Sequence, residues 1–413
     1  MSQRTGKSRV ITFVTIFVLL LVILPCTQSN ASDDIDTKSI ISQEDPPYWP
    51  TDSWRYSTPQ EQGMSNDTLN EMMDFIEEQG YPIHSVLVIR NGYAVFEEYP
   101  HEYYSANHLT LLHSVTKSFA STLIGIAIQQ GLLQGVNETV LSFFPEYTIA
   151  NPDPLKDEMT IEDLLTMTPG FEWDEWSYAY EDAENNTLRA MMESPDAVQY
   201  VLDKPMVYTP RTHWVYNGGA SLLLGAIIQH ISNLTTYEFA QQYLFEPLGF
   251  GFSTWYATSG GWCNTFGGLR LTTRDIAKLG FLYLNNGTWN DTQILPSYFV
   301  SNATKPIDLN NPLGASFGYG WHWWTRSDLG IYFAYGRYGQ KIMVAPEHDL
   351  VVAFTAHVPD DGYDPEFDLF RDYILQSIVD ESPSFPILEI FTISGIGILV
   401  AIALLLYRRS RSL

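Results

Sequence analysis

Basic residues and cysteines are both scarce in this chain. Against 48 Asp and Glu it sets only 22 Lys and Arg, for a formal net charge of −26 over 413 residues. Such a surface repels nucleic acid, which is excluded as a partner, and is repelled by anionic lipid. There are only two cysteines, Cys26 and Cys263. Cys26 falls in or beside an N-terminal apolar run, so the body has no pair for a disulfide and must be held by its core. His101, His108 and His113 cluster in sequence, yet no His-Glu-x-x-His or other ligand spacing occurs, so neither metal nor cofactor is expected. No internal repeat is visible, and 45% hydrophobic residues suffice for one large core or two intimately joined ones.

Long apolar runs occur only at the two ends. Arg4, Lys7 and Arg9 precede Val10–Leu24, the layout of a secretory signal or signal anchor over 1–31. Residues 32–54 are acidic and rich in Ser and Pro, and read as a flexible tether. A body over 55–380 and a short linker, 381–389, lead to an apolar run over 390–407 and a basic tail, 408–413. That run has spanning length, and Arg408, Arg409 and Arg411 would stay in the cytosol. The expectation is a single-pass membrane protein with its body outside.

Within the body, Ser65–Gln79 has an amphipathic helical period, and two alternating runs around Asn91-Gly92 predict a hairpin with a type I′ turn. The middle is helical, with capping-box starts at Thr160–Asp163, Thr235–Glu238 and Thr272–Asp275. Strand patterns return at Ile331–Tyr335, Gln340–Ala345 and Leu350–His357, before a final helix over Pro365–Val379. The predicted class is α+β: an antiparallel sheet flanked by terminal helices, with an all-helical domain inserted.

Ser114-Val115-Thr116-Lys117 is the most informative stretch. Leaving His113 aside, Lys117 is the only charged residue between Leu111 and Asn137, so it lies on a helix that is apolar nearly all round. A buried ammonium must be paired or neutralised, and desolvation lowers its pKa toward a range where it accepts protons. The i, i+3 spacing puts the Ser114 hydroxyl on the same face, a nucleophile beside its own base. Acyl transfer also needs a proton donor for the leaving atom and two donors for the oxyanion. Trp214-Val-Tyr216-Asn217-Gly218 opens another apolar helix, and Tyr216 can point from that loop into a cleft. Gly336-Arg337-Tyr338-Gly339-Gln340 opens a strand where glycine lets the backbone approach a substrate.

These three pieces, in this order, resemble the serine β-lactamase and penicillin-binding protein superfamily. The branch they look most like is the class C-like one of esterases, D-amino-acid peptidases and 6-aminohexanoate-oligomer hydrolases. Met159–Gly170, Gly267–Asp275 and Gly339–Pro346 are similar to further blocks of that family, and the resemblance covers about residues 55–380. It implies Ser114 as acylated nucleophile, Lys117 as its base and Tyr216 as proton relay to the leaving group. It also implies the backbone amides of Ser114 and Gln340 as oxyanion donors, with Gly339, Arg337 and Asn217 in substrate binding. The substrate would be a small molecule or peptide with an ester or amide bond.

The departures are informative. Tyr216-Asn217-Gly218 replaces the commoner Tyr-Ser-Asn, no Lys-Thr-Gly is present, and Tyr338 replaces a small residue, all of which speak against β-lactam turnover. No glutamate is recognisable as a dedicated deacylating group. Gly314-Ala-Ser316-Phe-Gly318 matches a nucleophile elbow but lacks an apolar strand before it and a helix after it. The aromatic, acidic segment from Phe171 to Asn186, with Trp173, Trp176, Tyr178 and Tyr180, could wall the cleft or clamp a loop to the core. An inactive surface receptor or adhesin is the alternative function, against which an intact Ser114, Lys117 and Tyr216 speak.

Overall fold

The computed structural model describes residues 48–308, 316–359 and 363–379. Its centre is a seven-stranded antiparallel sheet. The strands are β1 (Ile83–Arg90), β2 (Tyr93–Glu98), β3 (Phe317–Tyr319), β4 (Trp324–Arg326), β5 (Ile331–Gly336), β6 (Gln340–Ala345) and β7 (Leu350–Ala356). Their spatial order is β2-β1-β7-β6-β5-β4-β3. The Asn91-Gly92 hairpin forms as expected, with both residues at positive φ, 51° and 76°.

Both faces of the sheet are covered, which explains why residues 342–345 of β6 and 350–354 of β7 read as unbroken apolar runs. Side chains alternate between two cores. Val86, Val88, Met343, Val352 and Phe354 face the terminal helices, α1 (Asn66–Gln79) and the last helix, which starts at Pro365. Leu87, Ile89, Ile342, Val344, Val351 and Ala353 face the helices inserted between β2 and β3. Among these are α2 (Val115–Gln129), α3 (Gly218–Ser232) and α4 (Thr273–Leu284). The Thr160 and Thr235 capping boxes are complete. At Thr272 only half a box forms, because Asp275 turns its carboxylate to the Gly251 amide and lies 3.8 Å from Lys278 Nζ.

Several expectations are corrected. The last helix is shorter than Pro365–Val379: it ends at Leu369 and continues through wider turns, Phe370–Ile374. The chain is docked from Tyr48 onward instead of forming a tether to residue 54. Trp54 is buried, and Thr51 accepts hydrogen bonds from Trp289 Nε1 at 2.9 Å and Lys278 Nζ at 3.3 Å. The single-pass membrane location is overturned as well, for among the described residues no helix is long and apolar enough to cross a membrane. The longest, α2 and α3, have 15 residues, about 22 Å against a hydrocarbon layer of about 30 Å. The segments on which that expectation rested, 1–31 and 390–407, lie outside the described residues, as do the linker 381–389 and the tail 408–413.

One polar cluster lies inside the face covered by the terminal helices. Lys341 on β6 has a fully buried side chain and pairs with Glu366 at 2.8 Å, also fully buried, and with the partly exposed Asp364 at 2.8 Å. Removing one member of such a pair leaves an uncompensated charge, whereas replacing both with apolar groups is often tolerated. Lys341→Met, which strands the buried Glu366 carboxylate, should therefore cost about 3 kcal/mol in urea unfolding. Adding Glu366→Leu should recover most of it, and additive losses would contradict a coupled pair.

Candidate active site

Leu112 is tied to a small second sheet, its amide donating to Leu269 O at 2.9 Å, and His113 then takes a left-handed conformation, φ 48°. That reversal puts Ser114 at the N-cap of α2. Lys117, one turn on, is 2% exposed. Its Nζ lies 3.1 Å from Ser114 Oγ and 2.8 Å from Phe266 O, within the Thr265–Gly268 stretch that leads into the second sheet. Among the described residues no carboxylate forms an ion pair with it. Burial lowers its pKa to about 8, against the opposing pull of the Glu175 carboxylate.

Tyr216 is brought in by the loop before α3. Val215 N donates to Met167 O at 2.9 Å, and Asn217 N lies 3.2 Å from Met167 Sδ. Asn217 caps α3, its Oδ1 accepting from Ala220 N at 2.9 Å, while its buried Nδ2 has no partner among the described residues. The Lys117 amine lies 4.8 Å from the Tyr216 ring centroid, and Ser114 is near enough to the phenol to lower its pKa slightly. Burial and the Glu175 charge push the phenol well above its ordinary range.

The third piece arrives from the sheet. A Cβ on Gly336 would stand 2.3 Å from Leu112 O and 3.2 Å from Val115 Cγ2, so only glycine allows β5 to close on the turn that carries Ser114. Gly336 is paired with Gln340 across the β5–β6 hairpin. Between them Tyr338 and Gly339 take positive φ, 64° and 92°. A Cβ on Gly339 would lie 2.0 Å from Glu366 Oε1, so the buried carboxylate beneath Lys341 also shapes this turn. The Gln340 side chain is spent on structure, bonded to Arg337 O at 3.1 Å and Ala356 O at 2.8 Å. The Arg337 guanidinium sits 4.8 Å from the Tyr338 ring centroid and 5.7 Å from that of Tyr180.

The Phe171–Asn186 segment divides its roles. Trp173 is buried, whereas Trp176, 58% exposed, stacks on Tyr216 at 5.0 Å and 20°. Between them lies Glu175, which sequence reasoning missed. Its Oε2 accepts from Trp173 Nε1 and from Gly218 N, each at 2.7 Å. Burial raises its carboxyl above the usual range, against the opposing pull of Lys117 and these donors. In a chain with 48 acidic residues, only the flanking tryptophans hinted that this one is shielded. Ser316 of the elbow-like stretch lies in a turn before the short strand β3, not between a strand and a helix, and Gly314 is outside the described residues.

The clustered histidines form a run of rings. His113 meets Tyr338 at 5.2 Å, Tyr338 stacks on His357 at 4.5 Å, His357 lies 6.5 Å from His84, and His84 stacks on Tyr104 at 3.7 Å. Burial lowers both His84 and His113 to about 4, helped by neighbouring imidazoles in the first case and by Arg337 in the second.

The chain is similar to known proteins in sequence and in fold. A model of the beta-lactamase family matches residues 66–372. An uncharacterized protein of Alkalihalophilus pseudofirmus is 24% identical over 345 residues, 71% of this chain and 91% of that one. A protein of Salmonella agona provisionally named a D-alanyl-D-alanine carboxypeptidase is 22% identical over 64% of this chain and 74% of its own length. Among solved structures, one from Bacillus anthracis provisionally named a 6-aminohexanoate-dimer hydrolase superposes with a TM-score of 0.62 at 20% identity, covering 73% of this chain and 80% of that one. The fold is thus of the β-lactamase and transpeptidase type.

The ring run predicts a pH dependence of stability. His84 and His113 bind protons more weakly folded than unfolded, where histidine titrates near 6.5. Their destabilising effect is absent above that pH, grows as pH falls below it, and is complete below about 4. The urea midpoint should drop between pH 7 and 4.5. His84→Phe, which keeps the stack but cannot charge, should make the drop smaller, and an unchanged drop would contradict the assignment.

Proposed function

The chain belongs to the beta-lactamase family of serine hydrolases, and on that premise we propose that it cleaves an ester or amide bond through an acyl-enzyme on Ser114. The observation that carries this reading is the Lys117 amine, buried without an ion-pair partner among the described residues and 3.1 Å from Ser114 Oγ. With a pKa near 8 it is neutral in a useful fraction at neutral pH, and its lone pair takes the hydroxyl proton as Oγ attacks the carbonyl carbon. Tyr216 is a poor candidate for that base because its surroundings keep it a phenol. As a phenol it serves as donor, passing a proton to the departing oxygen or nitrogen and drawing its replacement from Lys117.

The tetrahedral oxyanion would lie against the amides of Ser114 and Gln340, which the close approach at Gly336 supports. Collapse releases the leaving group. Water then attacks the ester, its proton returns through the same pair, and Ser114 is regenerated. Arg337 and the Nδ2 of Asn217, which has no partner among the described residues, are the donors we assign to substrate binding, and Trp176 offers an apolar wall. The carboxypeptidase and amide-hydrolase names of the relatives support an amide or peptide substrate. The bulky Tyr338 and the absence of Lys-Thr-Gly favour it over a β-lactam.

A fluorophosphonate probe should label the protein on Ser114 alone, with the adduct mapped by peptide mass spectrometry. Ser114→Ala should abolish labelling, and an unlabelled native protein would favour a binding role without catalysis. Lys117→Ala should lower turnover of an activated ester by at least about 100-fold, and near-normal turnover would refute the proposed base.

A further inference from the structure

Glu175 is in no motif that suggested the site, yet it is built into the site from three sides. Its Oε2 bonds to the Gly218 amide, two residues after Tyr216 and at the start of α3, where the helix dipole favours an anion. The same oxygen accepts from the Trp173 indole, and Trp173 is itself wedged against Gly219, where a Cβ would come within 2.8 Å of the ring. On the other side of Glu175 in sequence, Trp176 lies flat on the Tyr216 ring. A carboxylate fixed in this way cannot swing to solvent. We propose that Glu175 is a positioning residue, holding the Tyr216 loop against α3 and supplying the fixed negative charge that sets how readily Lys117 gives and takes its proton. This inference rests on Lys117 being the base of the proposed reaction.

The charges around the pair are few. Lys117 faces Glu175 and Tyr216, with His322 Nδ1 3.3 Å from its carbonyl oxygen and His113 beyond Ser114. Both histidines are held neutral, at about 3 and about 4. Glu175 faces Lys117, Tyr216 and Tyr319 inside and Asp174 and Tyr180 toward the rim. Among the described residues it is therefore the carboxylate whose charge acts on Lys117. Without it the ammonium would be less favoured and the amine would lose its proton at lower pH.

The test is the pH dependence of fluorophosphonate labelling of Ser114 in the full chain, for the native protein and for Glu175→Gln, which retains an acceptor oxygen and loses the charge. The native labelling rate should rise with pH through a midpoint near 8, and Glu175→Gln should move that midpoint down by about 1 unit. A native profile lacking the rise would refute Lys117 as base, and with it the reading on which this inference rests. A native rise together with an unmoved midpoint in Glu175→Gln would overturn the role of Glu175 alone.

If Glu175→Gln does not fold, Glu175→Asp decides. The shorter side chain keeps the charge but cannot hold the Gly218 amide, so labelling should slow at least about 5-fold while the midpoint stays. Unchanged labelling in that variant would overturn the positioning role.

Discussion

An amine taken out of water is the constraint around which this molecule is arranged. Lys117 lies in the first turn of an apolar helix at the centre of the fold, and nothing described around it neutralises the charge by direct pairing. The desolvation that makes an ammonium costly there makes a neutral amine available. The arrangement is also held from outside the helix. Phe266 O orients the amine at 2.8 Å, His322 touches the carbonyl of the same residue, and the Ser118 and Ser121 hydroxyls tie α2 to His322 O and Trp321 O at 2.6 and 2.8 Å.

The sheet and the helical insert each bring one side of the chemistry to that amine. From the sheet come the β5–β6 hairpin and its turn, pressed onto the Ser114 region through the missing side chain of Gly336 and braced from below by Lys341 and Glu366. From the insert come Tyr216 and Asn217, fastened by Met167 and by the start of α3. The site thus lies where the β5–β6 turn meets the helical insert, and stiffness on both sides limits how far Ser114, Lys117 and Tyr216 can drift apart.

Much of this was legible beforehand, for identifiable reasons. Ser114 and Lys117 stood out because a lone charge in an apolar helix is conspicuous, and β1, β2, β6 and β7 because alternation or unbroken apolar runs between turn residues leave few alternatives. Other features carried no local signal. The strands β3 and β4 have three residues each, too short for periodicity. Glu175 and Glu366 look like ordinary acids in an acidic chain, and only the tertiary structure shows one bonded to the Gly218 amide behind Tyr216 and the other fully buried under the hairpin turn. The histidines around residue 108 cluster in sequence without any ligand spacing, and their proximity did not show what they would touch. His113 and His108 instead meet Tyr338 and Tyr104, and the run between those tyrosines is completed by His357 and His84, which are remote in sequence.

The most direct test of the account is the titration of Lys117 itself, followed by the side-chain NMR signal of lysine labelled with carbon-13 at Cε, with Lys117→Arg identifying the resonance. A midpoint near 8 is predicted, in keeping with a buried amine held mainly by a hydroxyl and a carbonyl. A midpoint at or above the ordinary lysine value of 10.5 would show a permanently charged ammonium, and would contradict its role as the base that activates Ser114.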